Sequence, residues 1–209
     1  MRSLLVVALL LLSSTTVFAD TKVTFDLVRF DPPAAYKKNP WTKEISKGKH
    51  QSYTAIDQAG GTYCRIAVFH STESKGDLDA EFRSEWAQLT KTIGVEPAQV
   101  TEPYEQDGWK IVAGVATFPF DGKTSFVTLT TLTGHGRTTS IKAETSSEDC
   151  FPAIERFLSS VKMLKPAGAT ATAKTPAKSP AKGGAKVAEQ YMEYNTMLKQ
   201  WVWKWRYPK

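Results

Sequence analysis

Cys64 and Cys150 are the two cysteines of the chain, and His50, His70 and His135 are its three histidines. A zinc centre would need three or four such ligands converging on one point. Cys64 and His70 share a face of one extended segment but stand about 20 Å apart along it. His135 lies in a Gly-His-Gly turn, where an exposed ring is expected. No metal or other cofactor is therefore expected. Nucleophilic catalysis needs a nucleophile, a base and an orienting group in contact. The chain has no Gly-x-Ser-x-Gly elbow, and Gly60-Gly61 lacks the Lys-Ser/Thr that completes a phosphate-binding loop. The carboxylates Asp79, Glu81 and Glu85 are of the type a glycosidase sets across a cleft, but their spacing reads as the solvated side of one helix. The expectation is a non-enzymatic protein with no catalytic residues. The alternative is a small exported hydrolase or ligand-processing enzyme whose site is not visible in the sequence.

Pairing is the other chemistry open to the cysteines. Cys64 sits in Tyr63-Cys-Arg-Ile-Ala-Val-Phe69, whose alternation turns it towards a core. A Cys64–Cys150 bridge would stabilise the fold by about 4 kcal/mol through the entropy of the long loop it closes. Two separate thiols, Cys64 serving as a buried filler, are the alternative. The compartment bears on this choice. Arg2 precedes an unbroken apolar run from Leu4 to Leu12, then Ser13 to Thr16, then Val17-Phe18-Ala19 before Asp20. This is the layout of a secretory signal, and the run is shorter than the roughly 20 residues that span a bilayer. Residues 1–19 are expected to be a signal peptide on a secreted or periplasmic protein.

Charge divides the remainder in two. Residues 20–165 carry 18 basic and 19 acidic side chains, whereas residues 166–209 carry eight basic and two acidic ones, a net of +6 that equals the net charge of the whole chain. The body thus has no general attraction for nucleic acid or anionic surfaces. Residues 166–188 are a Lys/Ala/Pro linker too poor in large apolar side chains to offset its own ordering entropy. The tail, 189–209, ends in Trp201-Val-Trp203-Lys204-Trp205-Arg206-Tyr207. Tyr191, Tyr194, Leu198, Trp201 and Trp205 fall at helical spacing, so a helix is expected from about Ala188 to Lys199, with the last nine residues extended. Three roles fit this composition: docking to an anionic membrane surface, a wall polymer or a protein partner through Trp201, Trp203, Lys204, Trp205, Arg206 and Tyr207; the start of a further β-rich module lacking its partner strand; or folding back onto the body. Lys-Pro-Ala repeats suit nucleic acid, but an exported protein is not expected to meet it.

The body must supply the scaffold. Val23 to Phe30 reads as one strand, residues 34–48 as a loop, and Gln51–Ile56 and Thr62–His70 as strands joined at Ala59-Gly60-Gly61. Leu78, Phe82, Trp86, Leu89 and Ile93 make one apolar stripe, which predicts a helix over 77–93 stopped by Gly94. Trp109–Phe118, Ser125–Leu132 and Thr138–Glu144 are rich in β-branched residues and separated by Asp121-Gly122 and Gly134-His135-Gly136. A short strand is expected near Ala98–Glu102, and a second helix over 150–163 capped by Asp149. Successive hairpins imply a mainly antiparallel sheet with two helices packed on it, an α+β domain of α/β/α layers.

Residues 20–165 resemble the PsbP-like fold, found in the PsbP subunit of photosystem II and in many small exported bacterial proteins. The resemblance rests on Val23-Thr-Phe-Asp-Leu-Val-Arg-Phe-Asp-Pro-Pro33, the strand Gly61–His70, the helix around Phe82-Arg-Ser-Glu-Trp86 and the closing segment Ile154–Val161. Where the fold usually has Pro-x-Gly-Trp after strand one, this chain has Pro33-Ala-Ala-Tyr36. The resemblance implies a binding or accessory role, with no reaction and no site residues to carry over.

Overall fold

The computed structural model describes residues 22–33, 35–36, 39–167, 189–195 and 200–206. The expected signal peptide, the linker from Gly168 to Ala188, and Tyr207 lie outside them. The elements begin with β1 (Val23–Phe25), β2 (Val28–Phe30), β3 (Thr42–Ser46), β4 (His50–Asp57), β5 (Thr62–Phe69), β6 (Thr72–Glu73) and α1 (Leu78–Leu89). They continue with β7 (Gln99–Val100), β8 (Tyr104–Gln106), β9 (Trp109–Phe120), β10 (Lys123–Gly134), β11 (Arg137–Thr145), a 3-10 turn (Glu148–Cys150), α2 (Phe151–Ser160) and β12 (Lys162–Met163). The tail adds β13 (Glu189–Asn195) and β14 (Gln200–Arg206).

Nine strands form one antiparallel sheet in the order β3-β4-β5-β11-β10-β9-β7, with β6 paired to β11 and β8 to β9. Three of its hairpins share one turn chemistry. Asp107-Gly108, Asp121-Gly122 and His135-Gly136 each place two successive residues at positive φ (54° and 81°, 48° and 70°, 52° and 74°). Their twist matches that of the flanking strands, and Asp and Gly tolerate the left-handed region. β1, β2 and β12 form a separate three-stranded sheet.

Both faces of the large sheet are covered. On one face Phe82 and Trp86 of α1 pack on Val112, Ala116 and Phe118 of β9 and Val127 and Leu129 of β10. On the other, Val28 and Phe30 of β2 and Phe151, Ile154 and Phe157 of α2 pack on Cys64, Ile66, Val68, Trp109, Ile111 and Ile141. The result is the α+β, mainly antiparallel layered fold expected from the hairpin order. Asp77 caps α1 by accepting from the Ala80 amide, and the Trp86 indole N–H donates to the Val95 carbonyl at 2.7 Å. Gly114 sets the closeness of α1 to the sheet, because a Cβ there would stand 2.6 Å from Phe82 Cζ and 3.0 Å from Trp86 Cζ3. Both rings are held in the core, so Gly114→Ala is expected to destabilise by about 1–3 kcal/mol, read as a lower urea midpoint at unchanged slope.

Several local expectations are corrected. Val23–Phe30 is not one strand but a tight hairpin: Asp26 takes φ +51° and turns β1 back on β2. The segment expected as a loop contains β3, an edge strand whose mostly exposed residues give no apolar alternation and which is held by pairing with β4. α1 ends at Thr90, four residues before Gly94. Ser147, not Asp149, caps the 3-10 turn that leads into α2, and Lys162–Met163 leaves the helix to pair with β2. The helix expected over 188–199 is replaced across its described part by β13, which pairs with β14 in register from Glu189↔Arg206 to Asn195↔Gln200. A lone helix of that length is marginal in water, while aromatic residues suit a paired strand. Within the described residues the Trp-rich strand pairs with β13.

Candidate functional surfaces

Glu81 lies on the inner side of α1, 9 % exposed, and not on a solvated helix face as its spacing suggested. Its Oε1 accepts from the Ser74 hydroxyl at 2.8 Å, the Lys75 amide at 2.5 Å and the Gly76 amide at 3.3 Å. Its Oε2 accepts from the hydroxyls of Thr133 and Thr138, both at 2.6 Å. Burial disfavours the carboxylate, but the hydrogen bonds from Thr133, Thr138, Ser74 and Lys75 outweigh it and hold the pKa below its ordinary value. The charge therefore ties the start of α1 to β10, β11 and the loop after β6.

Glu85, one turn on, also faces the sheet. Burial pushes its carboxyl above the usual range; a hydrogen bond with Ser140 opposes this, and the Glu81 charge adds to it. The folded state thus favours its neutral form, so Glu85 subtracts stability when ionised. Glu85→Gln is expected to raise the urea midpoint at neutral pH. That gain should shrink as pH falls through the folded pKa towards the lower unfolded one, and a gain constant across that window would exclude titration as its cause. Asp79, by contrast, points outward and pairs with Arg83 at 2.9 Å with both side chains exposed, a contact of little energetic weight.

The α1-side face continues beyond the helix onto β11, β5, β4 and β3, where it becomes polar. Lys142 of β11 pairs with Glu144 and donates to the Leu89 carbonyl at 2.8 Å, so a cation meets the last turn of α1. Register sets Lys142 opposite Ala67, Glu144 opposite Arg65, and Glu44 opposite Ser52. His50 closes this face with its ring 5.5 Å from that of Phe69. Its pKa is lowered, first by burial and then by the charges of Arg65, Lys142 and Lys49, with Glu44 opposing.

The other sequence candidates are dispersed. Cys64 and Cys150 are joined as a disulfide, both fully buried, with their Cα atoms 6.0 Å apart. His70 Nδ1 lies 3.5 Å from Asp26 Oδ2 at the β1–β2 turn. His135 is half-buried rather than exposed, because the type I′ turn folds its ring against Trp109, centroids 5.6 Å apart. Among the described residues no group of three or more His, Cys, Asp or Glu side chains could hold a metal ion. Glu81 and Glu85 sit on successive turns of one helix, an arrangement unlike two carboxylates facing each other across a cleft. The network of Glu81 was not visible in sequence, because Thr133 and Thr138 lie 52 and 57 residues away.

Of the tail residues, Trp201, Trp203, Lys204, Trp205 and Arg206 all fall on β14. Register pairs Trp201 with Tyr194, Trp203 with Met192 and Trp205 with Gln190. It also sets Lys204 opposite Tyr191, Val202 opposite Glu193 and Arg206 opposite Glu189. No protein-family model matches the chain, and no curated protein matches it either.

Proposed function

We propose that this chain is an exported, non-enzymatic binding or accessory protein. A PsbP-like α+β body acts as the scaffold and the terminal hairpin as the docking element. One observation carries this reading: the β13–β14 register pairs Trp201 with Tyr194 and Trp203 with Met192 in a two-stranded sheet. Two strands alone bury too little to be stable in water, so an aromatic-rich hairpin of this size gains its burial from something it docks on. The body's α1-side polar face mixes Arg65, Lys142 and His50 with Glu44 and Glu144, which favours no single ligand charge.

The hydrolase alternative has Glu81 and Glu85 as its best support, since neighbouring carboxyls with pKa values pushed apart are a feature of acid–base sites. The five hydrogen bonds on Glu81 make a structural role the better account. The test of the docking proposal is affinity capture from the exported and envelope fractions with the full chain and with a chain ended after Lys165. Capture dependent on residues 166–209 is expected. Equal capture by both chains would remove the hairpin from the function and return attention to the body.

A further inference from the structure

We infer that the α1-side sheet face, where it continues past α1 onto β5, β4 and β3, binds a neutral glycan. Arg65, Glu44 and His50 are its polar contacts, and the rings of Phe69, Tyr63 and Phe120 its apolar ones. This site lies on the body and does not depend on the docking role of the terminal hairpin.

Register decides what this surface presents. α1 packs on β9, β10 and β11, and the same face runs on beyond it. Every second residue of each strand belongs to this side. Phe69 stands opposite His50, Ala67 opposite Ser52, Arg65 opposite Thr54 and Tyr63 opposite Ile56, and Glu44 of β3 stands opposite Ser52. Phe120 of β9 meets Tyr63 at the end of the sheet, with ring centroids 5.4 Å apart, and is 52 % exposed. Rings therefore mark both ends of the patch. From Phe69 to Tyr63 the strand runs about 20 Å, the span of an oligosaccharide rather than of one sugar. Between the rings the groups are polar, and two of them lack partners. Glu144 stands opposite Arg65 but is held by Lys142, with side chains 13 % and 12 % exposed. Arg65 is half-buried, and its Nε is buried with no hydrogen-bond partner among the described residues. The Ser52 hydroxyl on the neighbouring strand is buried and unpaired as well. Buried donors are normally paired, so two such groups on one face point to an acceptor from outside the body.

Charge selects the class of ligand. Lys142 and Glu144 satisfy each other, which leaves Arg65 and Glu44 on this part of the face, one of each sign. Burial and then the Arg65 charge lower the pKa of His50, so its ring is neutral at neutral pH and carries one donor and one acceptor nitrogen. An anion would meet Glu44, and a cation would meet Arg65. A purely apolar ligand would strip water from Arg65 and His50 and return nothing. A pyranose chain avoids these costs. Its hydroxyls both donate, to Glu44, and accept, from Arg65. Its C–H faces, slightly positive, suit the negative faces of aromatic rings.

The experiment titrates the isotope-labelled chain from Asp20 to Lys209 with cellohexaose, chitohexaose, maltohexaose and hexagalacturonate, and follows backbone amide shifts by NMR. At least one of the neutral hexasaccharides is expected to shift amides of β4 and β5. Its affinity should be the same in low and high salt, because an uncharged ligand has no attraction to screen. Arg65→Met keeps the apolar stem and should weaken binding by at least about tenfold. Phe120→Ala removes an exposed ring and should weaken it by about threefold to tenfold, with little change in the urea midpoint. No shift on β4 and β5 with any neutral hexasaccharide would overturn the proposal, as would binding that survives both substitutions. Hexagalacturonate binding more tightly than every neutral chain would also overturn it and make Arg65 an anion site. Shifts confined to β13 and β14 would overturn it too, and would move glycan binding to the hairpin.

Discussion

Replacing both Cys64 and Cys150 with alanine is expected to lower the stability of the body by about 4 kcal/mol. The bridge closes a sequence separation of 86 residues, and cutting it releases that loop in the unfolded chain. The position of the bond adds to the effect. Cys64 is on β5 in the middle of the large sheet, and Cys150 ends the 3-10 turn from which α2 starts. The bond therefore pins the start of the α2 layer to the sheet at the point where Phe151, Ile154 and Phe157 enter the core. Both sulfurs are fully buried, so their removal also leaves voids that the surrounding side chains fill only in part. Urea unfolding with and without reductant measures the loss. Reductant should shift the parent towards the double variant and leave the variant itself unmoved. A parent insensitive to reductant, with a double variant of equal midpoint, would mean that the two thiols are separate. A single Cys64→Ala is the weaker probe, since it leaves a lone thiol at Cys150 and mixes two effects.

The layer built around that bond was legible in the sequence to the extent that its signals are local. The α1 stripe could be read because Phe82 and Trp86 face one side of the sheet and solvent takes the other. The hairpins at Asp121-Gly122 and His135-Gly136 could be read because few residues other than Gly, Asp, Asn and His accept positive φ. Asp26 escaped notice because an aspartate within Val23–Phe30 interrupts an apolar run without declaring a turn. β3 escaped because an edge strand needs only a partner, here β4, and Thr42-Lys-Glu-Ile-Ser46 carries no alternation of its own. In the tail, Tyr191, Tyr194 and Leu198 are spaced for a helix, and the cross-strand pairing of Tyr191 with Lys204 and of Tyr194 with Trp201 overrides that period. The same limit governs the polar groups under α1. A helical wheel places Glu81 beside Glu85 and away from Asp79, but only the sheet supplies the hydroxyls that make its burial tolerable.

Glu81→Ala is for that reason expected to cost about 2–3 kcal/mol, because it strips a charged acceptor from five donors, two of them the buried hydroxyls of Thr133 and Thr138. The backbone amides cannot turn, but that of Gly76 also donates to the Ser74 hydroxyl at 2.9 Å and Lys75 is exposed to water. The hydroxyls of Thr133 and Thr138 can turn, since they lie 3.0 Å apart and are able to bond to each other. Glu81→Gln keeps one oxygen for the amides and offers its NH₂ to the threonine oxygens, so its cost should fall to about 1–2 kcal/mol. The ordering Ala below Gln below parent separates a lost hydrogen-bond hub from simple truncation of an apolar stem. The pH dependence gives a second check. Folding lowers the pKa of Glu81, so its contribution is complete above the unfolded carboxyl pKa and is lost as pH falls through the folded one. Folding raises that of Glu85, whose penalty is relieved over the higher part of the acid range. From neutral pH downward, stability should first rise as Glu85 takes up its proton and then fall as Glu81 does. Glu85→Gln should remove the rise, and Glu81→Gln should reduce the fall. A Glu81→Gln protein with the same acid limb as the parent would place the titrating carboxylate elsewhere, and the five donors around Glu81 would then be holding an already neutral acid.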